Sequence, residues 1–98
     1  MNDYFTMTIE SNFNATNLGI VVTGVLHGTI RVGMPVTIQI PGGRINSVVR
    51  GIEHYHQIYE ELSAPDNENY CGIGVLLPLP HIFTQNGLNG CMLSTQRI

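Results

Sequence analysis

The fold is decided by the stretch Gly19-Ile20-Val21-Val22-Thr23-Gly24. Its β-branched, apolar centre predicts a strand that continues to Leu26 and ends at Gly28. A second segment bounded by glycines follows at Gly28-Thr29-Ile30-Arg31-Val32-Gly33, and Val36-Thr37-Ile38 resumes the strand pattern after a turn. Short β-branched segments separated by glycine turns predict an all-β domain.

The rest of the chain adds further strands. Phe5, Met7 and Ile9 alternate with polar residues, and this period of two is typical of a half-buried strand. Further strands are predicted at 44–52, 70–77 and 91–95, whereas residues 53–61 are interpreted as a long excursion with one helical turn. Closing about six short strands into a small Greek-key barrel would bury their apolar faces and remove exposed edges.

Size and charge limit the functions that the chain can have. Its 98 residues are 43% hydrophobic, which predicts a single domain over residues 1–98. The chain has four arginines, no lysine and seven acidic residues. Because binding to a phosphate backbone needs several basic groups, this composition disfavours general nucleic-acid binding. No apolar run approaches the roughly 20 residues that span a bilayer, and the N-terminus lacks a signal-peptide pattern. We therefore expect a cytoplasmic protein without membrane contact.

The order and spacing of the motifs resemble the second domain of elongation factor Tu and related translational GTPases, a β-barrel. Besides the opening stretch, the resemblance is carried by Gly51-Ile52-Glu53, Ala64-Pro65-Asp66-Asn67 and Gly74-Val75-Leu76-Leu77. It extends from Phe5 to about Ser94 and implies a stand-alone barrel domain without the family's GTPase domain. Because the phosphate-binding pattern Gly-x-x-x-x-Gly-Lys-Ser/Thr is absent, we expect no nucleotide, no cofactor and no enzymatic activity.

The resemblance also implies two binding residues. In the family, the glutamate of the Gly-x-Glu motif lies beside the terminal adenine of tRNA, and the asparagine of the Asp-Asn turn lies near the aminoacyl group. The matching positions are Glu53 and Asn67, with Asn69 as the alternative to Asn67 because the segment from 66 to 72 is longer than in the family. His56 stands where the family has an arginine.

The excursion carries the remaining candidates for a binding surface, which are His54, Tyr55, His56 and Tyr59. Together with Ile58 and Leu62, the two tyrosines have the spacing of an apolar stripe on a short helix. The stripe is interpreted either as a flap that closes one mouth of the barrel or as a contact surface for a protein partner, since tyrosine is enriched in interface hot spots. A homodimer through the same patch is a further alternative.

Metal binding and catalysis have weaker support. On an extended segment His54 and His56 would point the same way, and Glu53 or Glu60 could complete a metal site. We favour two solvated loop histidines and predict no metal site. No nucleophile is placed beside a base, so no catalytic residue is predicted. Cys71 and Cys91 are expected to be reduced and mostly buried.

These inferences predict a non-enzymatic binding module that docks to a protein partner and has a link to translation. The alternative is an accessory domain that binds RNA, in particular the 3′ end of tRNA.

Overall fold

The computed structural model of the protein describes residues 4–15, 19–64, 70–79 and 87–95. In these ranges the chain is all β, which confirms the predicted class. The strands are β1 (Phe5–Ala15), β2 (Gly19–Arg31), β3 (Pro35–Ile40), β4 (Gly43–Val48), β5 (Gly51–His54), β6 (Gln57–Tyr59), β7 (Glu61–Ser63), β8 (Tyr70–Leu77) and β9 (Met92–Thr95). The expectation of a helical turn within residues 53–61 is wrong, because that segment forms β5, β6 and the start of β7.

The strands pair antiparallel in the order β4-β3-β9-β1-β2-β8-β5-β6, and β7 pairs with the end of β2. Strand β1 has a register shift against β2 between Ile9 and Ser11, and β2 has one against β8 between Gly24 and Leu26. Such irregularities increase local twist and bend a sheet. Across the described ranges the path ends at β4 and β6 without joining them, so the closed Greek-key barrel stays a prediction.

Gly24 and Gly28 allow the first two strands to approach each other closely. A Cβ atom at Gly24 would lie 2.0 Å from the carbonyl oxygen of Thr8. Gly28 has a φ of +93°, and a Cβ there would lie 2.2 Å from the carbonyl oxygen of Tyr4. Only a residue without a side chain fits at such positions, which explains the spacing of the motif.

The core lies on the inner face of the sheet. The predicted alternation in β1 is confirmed, since Phe5, Met7 and Ile9 are all buried. Strand β2 adds Ile20, Val22, Leu26 and Ile30, and further strands contribute residues such as Ile38, Ile52, Val75 and Leu93. One buried polar side chain, Asn12, accepts a hydrogen bond on Oδ1 from the amide of Leu88 at 2.9 Å and thereby attaches the segment before β9 to β1.

The two ends of the strand path have different surroundings. Strand β6 ends the path on one side, so the β5–β6 hairpin is an edge of the sheet. Strands β3, β4 and β9 form the other end. Within the part of the chain that the structure describes, no helix is long and apolar enough to cross a membrane.

Candidate functional site

Most of the predicted site residues lie on the β5–β6 hairpin. Glu53 and His54 end β5, Tyr55 and His56 form a two-residue turn, and β6 follows. His54 pairs with Gln57 across the turn, and Glu53 pairs with Ile58. The exposed residues Glu53, Tyr55, His56 and Ile58 are termed the hairpin surface below.

The turn of this hairpin is strained. Tyr55 has a φ of 52° and His56 a φ of 64°. Positive φ at both central residues is what a type I′ hairpin turn requires, but such turns strongly prefer Asn-Gly or Asp-Gly. For residues with side chains the left-handed conformation costs about 1–2 kcal/mol each. Strain of this kind is concentrated at binding and catalytic sites, so the turn is a candidate functional feature.

Aromatic contacts hold the turn against the sheet. His54 is only 8% exposed. Its ring centroid lies 4.1 Å from that of Tyr55 and 5.0 Å from that of Tyr70, the first residue of β8, and the latter pair is stacked. Aromatic pairs of this kind contribute about 0.5–1.5 kcal/mol beyond the area that they bury. His54 is therefore a packing residue that positions Tyr55, rather than a member of the exposed surface.

Two large apolar side chains of the hairpin face solvent. Tyr55 is 81% exposed and Ile58 is 78% exposed. Tyr59 is half-buried against the core and Leu62 is buried in it. The predicted helical stripe of these four residues is therefore wrong, because the strand period of two and the intervening turn place them in different surroundings. Exposed apolar groups gathered on one short segment are typical of interaction sites.

The charge around the hairpin is acidic. Glu53 is half-exposed, and its Oε2 lies 3.8 Å from Nδ1 of His56, which is too long for a hydrogen bond. Glu60 is exposed and forms no ion pair with a described arginine. Glu61 differs, because it accepts a hydrogen bond from Nε of Arg31 at 2.8 Å. Glu53, which lies opposite Ile58, and Glu60, which follows β6, therefore leave negative charge on this hairpin.

The predicted histidine pair is not brought together. His54 points into the protein and His56 into solvent, so the prediction of two solvated loop histidines is wrong for His54. The reason is that a turn, and not an extended segment, begins directly after His54. In the described ranges no three His, Cys, Asp or Glu residues lie close enough to hold a metal ion.

The cysteines are free thiols in different surroundings. Cys71 is exposed and Cys91 is partly buried. The expectation that both are mostly buried is therefore wrong for Cys71, which lies on β8 beside Gly72, a glycine with a φ of +72°. Neither cysteine belongs to the hairpin surface.

Of the two binding residues implied by the family resemblance, Glu53 lies within the described residues and Asn67 does not. Glu53 lies opposite Gly74 of β8 with its side chain half-exposed. Asn67 and its alternative Asn69 lie outside the described residues, so the binding role of this asparagine stays a prediction. The sequence predicts Ile58 only as part of a helical apolar stripe, whereas the structure places it, exposed, on strand β6. Its signal in the sequence is the two-residue spacing of a tight hairpin, which places it opposite Glu53.

Comparison with known proteins bears on the fold. No family model matches the chain. Among solved structures, the chain is similar to translation elongation factor SelB from Methanococcus maripaludis in its apo form, with a TM-score of 0.71 and 21% sequence identity. The match covers 95% of this chain and 19% of the SelB chain, so this chain spans about a fifth of that protein's length. The chain thus has the fold of one part of a translation elongation factor.

Proposed function

We propose that this protein is a non-enzymatic binding module that docks to a protein partner through the hairpin surface. The observation that carries the proposal is the exposure of Tyr55 and Ile58, at 81% and 78%, on a strained turn. Fully burying a large apolar side chain contributes about 1.5–3 kcal/mol. An interface that covers both residues would gain this energy, less the cost of ordering their side chains.

The charge of the surface favours a basic partner. Glu53 and Glu60 lie beside the apolar pair, and the chain as a whole has a formal net charge of −3. Complementary charges speed association and suppress wrong partners. A homodimer through this same surface would instead bring like charges together, because a twofold interface pairs identical patches. We therefore propose a different protein as the partner.

The place of action that we propose is the translation machinery in the cytoplasm. The motifs around Gly24, Glu53 and Gly74 support a closed barrel like the second domain of elongation factor Tu. The likeness in fold to SelB is consistent with that barrel. Because one fold serves many functions, this link rests on analogy, whereas the docking surface rests on named residues.

The alternative is an accessory domain that binds the 3′ end of tRNA. One observation favours it: the half-exposed carboxylate of Glu53 lies opposite Gly74, which has no side chain to occupy the neighbouring position on β8. His56 in place of the family's arginine and the absence of lysine both reduce the attraction for phosphate.

A pull-down from cell lysate tests the two functions together. The comparison is between the wild type, a Tyr55→Ser/Ile58→Ser double variant and Phe13→Ser. Phe13 is the matched control, because it is an exposed apolar residue, at 45%, on a different strand. We expect a protein that the wild type and the control recover equally and that the double variant recovers at least about tenfold less, since hot-spot residues each contribute 2 kcal/mol or more.

Two other outcomes change the conclusion. Equal recovery of the same proteins by all three baits contradicts docking through the hairpin surface. Recovery of tRNA that is lost in Glu53→Gln and falls steeply as salt is raised supports the alternative, because phosphate contacts are strongly dependent on salt.

A further inference from the structure

An open polar depression lies at the end of the strand path opposite the hairpin surface, where β3, β4 and β9 pair. It has a volume of about 210 Å³ and is lined by Tyr4, Thr37, Gln39, Arg44, Ser94 and Thr95. The strand register brings these residues together. Thr37 of β3 lies opposite Ser94 of β9, and Gln39 lies opposite Arg44 of β4. Paired residues on neighbouring strands have Cα atoms about 4.5–5.5 Å apart, so their polar groups can reach one ligand.

The hydroxyl groups at the base of the depression are held in place. Thr37 is only 5% exposed, and its Oγ1 donates a hydrogen bond to Oδ1 of Asn46 at 3.0 Å. Oγ1 of Thr95 accepts a hydrogen bond from the amide of Phe5 at 3.0 Å. None of the six lining residues is aliphatic, so an occupant would meet mainly hydrogen-bonding groups, beside the ring of Tyr4.

The charge of the depression is the reverse of that of the whole chain. Arg44 is the only charged residue among the six, and no carboxylate is among them. Arg44 makes no ion pair with a carboxylate in the described ranges, whereas Arg31 is bound to Glu61. An arginine presents five N–H groups in a planar arrangement that fits two oxygens of a carboxylate or phosphate. The side-chain amide of Gln39 and the hydroxyl of Ser94 are further donors.

We propose that this depression binds a small soluble molecule through an oxyanion, either a phosphate or a carboxylate group. The guanidinium of Arg44 holds the charge, and Gln39 and Ser94 donate further hydrogen bonds to the oxygens. One water occupies about 30 Å³ in the liquid, so the depression has room for the anionic group and a small polar body attached to it. The inference is independent of the hairpin surface and of its protein partner.

The test is a titration of ¹⁵N-labelled protein followed by NMR, with inorganic phosphate in one series and acetate in another. Chloride keeps the ionic strength constant. We expect saturable shifts of the signals of Gln39, Arg44 and Ser94, with a Kd in the millimolar range for at least one of the two anions. Arg44→Gln should raise that Kd at least about tenfold, because it removes the charge-assisted hydrogen bonds. Arg50→Gln is the matched control, since Arg50 is exposed, carries the same charge and lies outside the lining.

Each outcome of the titration either supports or contradicts the oxyanion site. Saturation by phosphate alone or by acetate alone supports the site and identifies the anion, and saturation by both supports a general oxyanion site. Shifts that stay linear in both series overturn the proposal. Equal weakening by Arg44→Gln and Arg50→Gln also overturns it, because the effect is then one of net charge. Ser94→Ala is a second variant, and it should weaken binding severalfold without any change of charge.

Discussion

His56 occupies the second position of the strained turn, with a φ of 64° and a side chain that is 99% exposed. Replacing it with glycine removes almost no packing and only the 3.8 Å contact with the Glu53 carboxylate, so the substitution tests mainly the backbone. The left-handed conformation costs a residue with a side chain about 1–2 kcal/mol. Glycine avoids that cost, but its greater freedom in the unfolded chain costs about 0.5–1 kcal/mol. We therefore expect His56→Gly to stabilise the protein by about 0.5–1 kcal/mol.

Thermal unfolding followed by circular dichroism measures this effect. For a domain of this size, each kcal/mol shifts Tm by about 4–8 °C, so Tm should rise by about 2–8 °C. The matched control is Gln57→Gly, the adjacent exposed residue, whose φ is not positive. Glycine there relieves no strain and should lower Tm. If both variants lower Tm to the same extent, the turn stores no strain and the argument from backbone geometry fails.

Three further substitutions or reactions test the fold. Gly24→Ala should reduce the free energy of unfolding by about 3 kcal/mol or more in urea, because the new Cβ would lie 2.0 Å from the carbonyl oxygen of Thr8; a cost under about 1 kcal/mol would show that the two strands separate easily. Leu93→Ala, at a fully buried position, should cost about 2–5 kcal/mol in the same assay, and a near-zero cost would contradict its place in the core. Cys71 should be alkylated before Cys91, as mass spectrometry of partly labelled protein can determine, and the reverse order would contradict the exposure of these two thiols.

Much of the fold could be predicted because its signals are local. The alternation of Phe5, Met7 and Ile9 places one face of β1 in the core. The glycine spacing and the β-branched segments between the glycines predict short strands from residue type alone. These features depend on residue type and on spacing along the chain, and both can be read without knowing which strands pair.

The hairpin surface could be predicted only in part. Glu53 and the aromatic residues after it were identified, but they were placed on an excursion with a helical turn. Tyr55-His56 lacks the usual chemistry of a type I′ turn. The turn joins β5 to β6, and β5 is held in place by its pairing with β8 and by the packing of His54 against Tyr70. The contacts with β8 come from a strand distant in sequence, so local propensity could not reveal them.

The sequence by itself determined that the chain forms β-strands with one apolar face and has an acidic net charge, because apolar alternation, glycine spacing and charge are properties of the chain alone. Tertiary structure alone decided which residues are exposed together. The hairpin turn separates His54 from His56 and leaves Tyr55 and Ile58 exposed to solvent. The pairing of β3 with β4 and β9 places Arg44 and Ser94 in the lining of one depression. The physical reason is that a side chain's neighbours across a sheet are set by register, and register results from the packing of the whole core.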